Sequence, residues 1–230
     1  MTIIVFAGPS LPGADRAAPA PVDWRPPAEA GDLLRLDLGP GLTICLIDGY
    51  FDHRPAVRHK EILLALAEGA RVIGASSMGA LRAAEMAGFG MEPVGVIARA
   101  FAGGRLSGDD EVALVHGPAE WDWRPLSVPL VEVRATLRSL RRRRLIAASE
   151  ARRLFETARA VHFADRCWAS IGEDEAMQRL IEAEHVPLKR LDAIEAVRAA
   201  LTPASPAPRP QAVSTSFLRA LAREVRVPPR

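Results

Sequence analysis

Two serines, Ser76 and Ser77, stand in the run Gly74-Ala75-Ser76-Ser77-Met78-Gly79-Ala80, between an apolar segment at 71–73 and a helix-forming segment from Leu81. A strand that turns through small residues into a helix presents hydroxyls and backbone N–H groups at one point, where an acyl group or an anion can be held. The chemistry this suits is acyl transfer, which needs a nucleophile, a base to take its proton, and fixed donors for the oxyanion. His59 is the candidate base, Asp48 the carboxylate that would orient it, and Lys60 beside it a source of positive charge. Neither serine completes the G-x-S-x-G elbow. Ser77 is followed by Gly79 but preceded by Ala75, and Ser76 is preceded by Gly74 but followed by Met78. One of the two is expected to cap the next helix, a role worth about 0.5–2 kcal/mol. The other then keeps a hydroxyl free for chemistry.

The elements that must position these residues are legible as pattern. Three apolar, β-branched runs at 2–6, 42–47 and 71–73 read as buried strands. An amphipathic stretch at 57–67 that closes at Gly69 reads as the crossover helix between the second and third, which makes that pair parallel and the crossover right-handed. In a parallel α/β sheet, ligands bind outside the carboxyl ends of the strands, where the strand order reverses. The turns Gly8-Pro9-Ser10, Asp48-Gly49 and Ser76-Ser77-Met78-Gly79 should therefore converge. Further helices are expected at 77–87, 91–102 and 110–116, with a short one at 32–36, while 94–97 fits either a strand or a helix. Gly103-Gly104, Gly108, Asp109, Asp110, Glu111 and His116 form a second polar loop placed to fold over the site, although acidic residues before a helix also favour its dipole.

The fold class expected is α/β, a small parallel Rossmann-like sheet with flanking helices followed by a helical C-terminal region. The core is assigned to 1–125 and the helical region to 126–201, with helices at 127–144, 147–169, 173–184 and 188–201. A Pro-rich linker at 202–212 and a short helix or tail at 213–230 complete the chain. The Pro/Ala-rich stretch at 12–21 and the region after about 170 are expected to lie apart from the site.

Composition narrows the function. At 49% hydrophobic and 25% charged residues the chain matches an ordinary globular protein, and its longest near-uncharged stretch, 39–51, is too short to cross a bilayer. The N-terminal segment has no basic region before its apolar run and reads as a strand rather than a signal peptide. Two cysteines, Cys45 and Cys167, cannot make a disulfide framework, so a reducing cytoplasm is expected, and both read as inert rather than nucleophilic. A net charge of +2 leaves no overall footprint for nucleic acid. Basic residues nevertheless gather at Arg134, Arg138, Arg141, Arg142, Arg143, Arg144, Arg152, Arg153 and Arg159. That run is either a solvated helix surface or a docking surface for an acidic protein, and without interleaved aromatics it does not suit base stacking. Asp48, Asp52, His53 and His59 are metal-ligand types, but their spacing fits no zinc signature, so no metal and no cofactor are expected.

Several segments together resemble one family. Phe6-Ala7-Gly8-Pro9-Ser10, Trp24-Arg25-Pro26-Pro27-Ala28, Gly31-Asp32-Leu33-Leu34, Ile47-Asp48-Gly49-Tyr50-Phe51, His59-Lys60-Glu61-Ile62, the stretch from Gly74 to Glu85, and Gly108-Asp109-Asp110-Glu111-Val112-Ala113 follow the order found in TfuA-like proteins. The resemblance covers about residues 3–170. It implies an accessory protein of YcaO-type ATP-dependent enzymes in peptide backbone thioamidation. It further implies hydrolysis of the C-terminal thiocarboxylate of a ubiquitin-like sulfur carrier, releasing sulfide, with the YcaO-type enzyme, the carrier and the precursor peptide as partners. On that reading Ser77 or Ser76 attacks the carbonyl, or His59 activates water directly, with Asp48 orienting His59. Ser10, Gly8, Gly49, Lys60, Gly79, Arg82, Asp109 and Glu111 would then bind the carrier's tail. A non-catalytic adaptor that recruits the carrier or the peptide is the alternative.

Overall fold

The structure is a computed structural model, and it describes residues 2–13, 16, 18, 21–50 and 54–203 together with positions 210, 211, 215, 216, 219, 220 and 223. Most of the 202–212 linker and the 213–230 segment, and the residues Asp52 and His53, lie outside the described residues. Five parallel strands form one sheet: β1 (Thr2–Phe6), β2 (Asp23–Arg25), β3 (Leu42–Leu46), β4 (Arg71–Gly74) and β5 (Glu92–Pro93), in the order β2-β1-β3-β4-β5. This is a doubly wound order whose direction reverses between β1 and β3, so the crevice above the carboxyl ends of those two strands is where a ligand is expected.

The expected α/β class holds, with α1 (His59–Ala67) and α2 (Met78–Met86) among the strands, and α3 (Gly95–Ala102), α4 (Leu130–Arg142), α5 (Ala148–Ala160), α6 (Trp168–Ile171), α7 (Glu175–Ala183) and α8 (Leu188–Leu201) after them. Alternation along each strand divides the core. Ile4, Phe6, Ile44, Leu46 and Val72 pack under α1 and α2 with Ile62, Leu66, Met78 and Ala83. Ile3, Val5, Cys45, Ile47 and Ile73 face the other way, onto Ala193, Ala196, Val197 and Ala200 of α8. The last long helix thus returns to cover the sheet that the first strands begin, while α4, α5, α6 and α7 build a separate apolar cluster.

Two strands depart from the apolar pattern. β2 is a three-residue edge strand of Asp, Trp and Arg, and β5 has two residues, so neither offers an alternating run to read. The ambiguous stretch 94–97 resolves as a helix, since β5 has already ended at Pro93, Val94 is the N-cap and α3 begins at Gly95. Asp192 of α8 decides that start, accepting from Val96 N at 2.9 Å and Ile97 N at 2.7 Å. Burial pushes its carboxyl up to about 6 in spite of those two donors. The folded value lies above the ordinary 3.8, so the stability that protonated Asp192 contributes is complete below about pH 4 and is lost on ionisation as pH rises through 6. Asp192→Asn cannot titrate. Denaturant unfolding should therefore show the wild type's margin over Asp192→Asn shrinking by roughly 2 kcal/mol between pH 4 and pH 7; a margin independent of pH would contradict this account.

The helices expected at 110–116 and 147–169 do not run as read. Only Asp109–Glu111 forms a 3-10 turn, after which Val115 pairs with the chain at Leu126 and Ser127, and His116 bridges to Pro125. Tertiary pairing has replaced a local helical period there. α5 stops at Ala160 because the buried guanidinium of Arg166 turns back to donate to Ala158 O and Val161 O, taking the carbonyls the next turn would have used. Residues 161–167 become a loop that returns toward the sheet.

Candidate functional site

Asp48 follows β3 and is buried at the point where the strand order reverses. Its Oδ2 accepts from Gly8 N at 2.8 Å and Ser10 N at 3.0 Å, and its Oδ1 from Ser10 Oγ at 2.6 Å. The carboxylate thereby ties the turn after β1 to the end of β3. With three donors on it, Asp48 orients the Gly8–Ser10 turn, and among the described residues no histidine bonds to its carboxylate. The chain at Ala28 crosses the same edge, with Ala28 N donating to Asp48 O at 2.9 Å and Tyr50 N to Ala28 O at 3.0 Å.

The serine turn is tighter than a plain helix start. Ser77 N donates to Ala75 O at 2.7 Å, closing a three-residue turn around Ser76, whose φ is 65°. A non-glycine residue held there is strained by about 1–3 kcal/mol. Ser76 is fully buried, and among the described residues its Oγ has no hydrogen-bond partner. Ser77 occupies the N-cap position of α2, yet its side chain makes no cap hydrogen bond. The expectation that one serine caps the helix therefore fails for both. Ser76 points its hydroxyl into protein, and Ser77 lines a cavity.

That cavity, of about 350 Å³, lies above the carboxyl ends of β1 and β3 and is bordered by Asp48, Gly49, Ser77, Arg54, His116 and Lys189. A second cavity of about 560 Å³ adjoins it, sharing Pro9, Leu114 and Lys189 and extending to Ser10, Pro12, Glu132, Trp168 and His185. His116 comes from the loop straightened by the Val115 pairing. Its Nδ1 is 2.8 Å from Gly117 O, a contact that requires the proton on Nδ1 and leaves the lone pair of the neutral ring on Nε2. Arg54 reaches Glu29 at 3.2 Å and lies over the Tyr50 ring. His162 arrives through the loop that Arg166 creates.

Other residues named from sequence sit elsewhere. His59 is half exposed on the outer side of α1, with Nε2 donating to Glu85 Oε2 at 2.7 Å, and it borders neither cavity. Arg82 donates to Val57 O and to the same Glu85. Burial acts to raise the Glu85 carboxyl, but the Arg82 and His59 bonds outweigh it and hold it below the usual range. Lys60 and Asp109 are exposed away from both cavities. Glu111 is buried against Arg134, 2.6 Å away. Gly79 packs against β3, its N–H donating to Ile47 O at 3.2 Å, so it has no amide to offer an oxyanion. Burial pushes the Cys45 thiol to about 12, which makes it a core side chain and not a nucleophile.

Lys189 is the residue that sequence reasoning passed over, and Pro12 and Lys189 both contradict the expectation that their segments stay clear of the site. The signal lay in composition at α8: Lys189 opens a helix whose neighbours in the sheet-facing row are alanine and valine, and a lysine so placed must end near polar groups. Burial pushes its ammonium below the usual lysine range, against the pull of Asp48 and Glu132. Among the described residues no group of three His, Cys, Asp or Glu side chains could hold a metal ion, and no helix is long and apolar enough to cross a membrane.

Fold and cavity together define a doubly wound α/β protein with a serine hydroxyl at the sheet's reversal point. The chain belongs to the TfuA-like protein family, whose model matches residues 48–167, just over half its length. The family is associated with YcaO-dependent thioamidation. No curated protein matches the chain. The matched span includes Asp48, Ser77 and His116 and ends before Lys189.

Proposed function

We propose that this protein hydrolyses the C-terminal thiocarboxylate of a ubiquitin-like sulfur carrier, releasing sulfide for a YcaO-type enzyme that thioamidates a peptide backbone. The observation that most supports this is Ser77, an uncapped hydroxyl at the N-terminus of a nine-residue helix, lining a cavity that also holds an imidazole whose Nε2 has no hydrogen-bond partner among the described residues. The carrier's tail would enter with its terminal group toward α2, whose N-terminal dipole and Arg54 favour the negative charge. Ser77 Oγ attacks the carbonyl carbon while His116 takes its proton, sulfide leaves, and water resolves the serine ester. His116 takes the place first given to His59, because His59 is engaged by Glu85 outside the cavity. Sulfide release from a thiocarboxylated carrier by wild type and Ser77→Ala is the test.

An adaptor role has its own support in the exposed end of α4. Arg143 pairs with Glu184, Arg153 with Glu173 and Arg134 with Glu111, but among the described residues Arg138, Arg141 and Arg142 make no ion pair, and Leu145 beside them is exposed. Such a patch favours an acidic partner and steers its approach. The triple reversal Arg138→Glu, Arg141→Glu, Arg142→Glu should weaken carrier binding at least tenfold in ~50 mM salt and flatten its salt dependence. Hydrolysis of a short peptide thiocarboxylate should stay at the wild-type rate. Equal carrier affinity across salt would remove the docking role from this surface.

A further inference from the structure

Lys189 Nζ donates to one acceptor, Val112 O at 2.9 Å, and its backbone N–H to Glu132 Oε1 at 3.0 Å. The residue is only 2% exposed. An ammonium carries three N–H donors, so two of them have no partner among the described residues. Asp48 and Glu132 both act on the charge, yet neither makes an ion pair with it. Asp48 is held by Gly8 and Ser10, and Glu132 Oε2 by His185 Nε2 at 2.8 Å. A buried cation without a close counter-ion is costly. This one forms the wall shared by both cavities, where an anion entering toward Ser77 would meet its free N–H groups.

Resting on the hydrolase reading above, we infer that Lys189 gives the departing sulfur its proton and so suits the cavity to an anionic thiocarboxylate rather than to a neutral thioester. The chemistry requires such a donor. A thiocarboxylate spreads its negative charge over oxygen and sulfur and resists a nucleophile, and its sulfur would otherwise have to leave as a dianion. In the step, the Ser77 O–H proton passes to His116 Nε2 as Oγ bonds to the carbonyl carbon. The C–S bond breaks with its electron pair on sulfur, and a proton from Lys189 Nζ makes the leaving species HS⁻. Water then attacks the serine ester, one of its protons restores the ammonium, the imidazolium returns to Ser77 Oγ the proton it took, and the second proton of water leaves from the carboxylic acid product. The sum is RCOS⁻ + H₂O → RCOO⁻ + HS⁻ + H⁺. Burial lowers the Lys189 pKa, which makes it a readier acid than an exposed lysine. An alkyl thioester needs no such proton, because its thiolate leaves unaided.

The groups facing Lys189 across the first cavity are Asp48, Tyr50, Arg54, His116 and His162. Across the second they are Arg124, Glu132, Cys167, Glu182, His185 and Arg190. A pH profile alone would mix their titrations, so the experiment compares two leaving groups on one tail. A synthetic peptide ending in a glycyl thiocarboxylate and the same peptide as its methyl thioester are offered to wild type, Lys189→Met and Lys189→Arg. Both variants should lose about 10²-fold or more on the thiocarboxylate and less than tenfold on the thioester. Arginine keeps the charge but cannot release a proton near neutral pH. Equal losses on both substrates, or recovery by Lys189→Arg, would overturn the assignment while leaving the hydrolase intact. A wild type that releases no sulfide removes the hydrolase reading and this inference together. Should neither variant fold, the wild type still decides: thiocarboxylate turnover must fall on an alkaline limb, below the ordinary lysine pKa, that thioester turnover lacks.

Discussion

Alanine at Gly79 is expected to leave the chain unable to reach its folded state. A Cβ built on Gly79 would lie 1.8 Å from Leu46 O and 2.5 Å from Leu46 C. Both are backbone atoms of β3, and Leu46 O also accepts from Ala75 N at 3.1 Å, so the strand cannot retreat without breaking the sheet. Across the same contact a Cβ on Gly74 would lie 2.1 Å from Gly79 O. The two glycines allow α2 to start directly against the end of β3, which sets Ser77 beside Asp48. Gly79 is helical and has no positive φ, so the constraint is closeness and not backbone freedom. Overpacking against immovable backbone belongs to the tail of substitutions costing more than ~4 kcal/mol, a large part of a typical stability of about 5–15 kcal/mol. Thermal melting followed by circular dichroism should show no cooperative transition for Gly79→Ala. Gly39→Ala, where nothing lies within 4 Å, should melt like the wild type. A Gly79→Ala protein melting within a few degrees of wild type would refute the packing account.

How much of this was legible depended on whether the signal was local. β1, β3 and β4 are continuous apolar runs, and α1 and α2 carry a helical period between turn residues, so sheet direction and strand-end turns followed from spacing. The junction of Gly8, Ser10 and Asp48 was readable for the same reason, because adjacent parallel strands bring their carboxyl ends together. His59 was misleading because nearness in sequence says nothing about which side of a helix a residue faces. It opens α1, where Glu85 of the neighbouring α2 holds it outward. His116 lay in a stretch whose helical period is overridden by pairing with Leu126 and Ser127, a contact no local pattern encodes. Lys189 reaches the cavity only because α8 folds back over the sheet. Its position follows from the packing of alanines far from the residues it joins.

Ser77→Ala should lower sulfide release from a thiocarboxylated carrier by about 10³-fold or more, with carrier affinity unchanged. The expectation rests on a division of labour between adjacent hydroxyls. Ser76 takes the strained position, with φ at 65° and its Oγ buried without a partner among the described residues, and thereby turns the chain so that Ser77 begins α2 facing the cavity. Glycine suits that φ, and removing a buried, unpaired hydroxyl relieves a cost of about 1–3 kcal/mol, partly offset by the entropy of an added glycine. Ser76→Gly should thus be as stable as wild type or more so and retain most of its turnover, while Ser77→Ala keeps its melting temperature and loses turnover. The reverse pattern would move the nucleophile to Ser76. Full release by both variants would leave water, activated by His116, as the attacking group. A covalent route leaves a further trace: in a single turnover, sulfide must appear before the free carboxylate, with the carrier held as a serine ester in the interval. Simultaneous appearance of the two products with no trapped ester would favour direct attack by water, and the uncapped hydroxyl of Ser77 would then serve to hold the terminal carbonyl and not to bond with it.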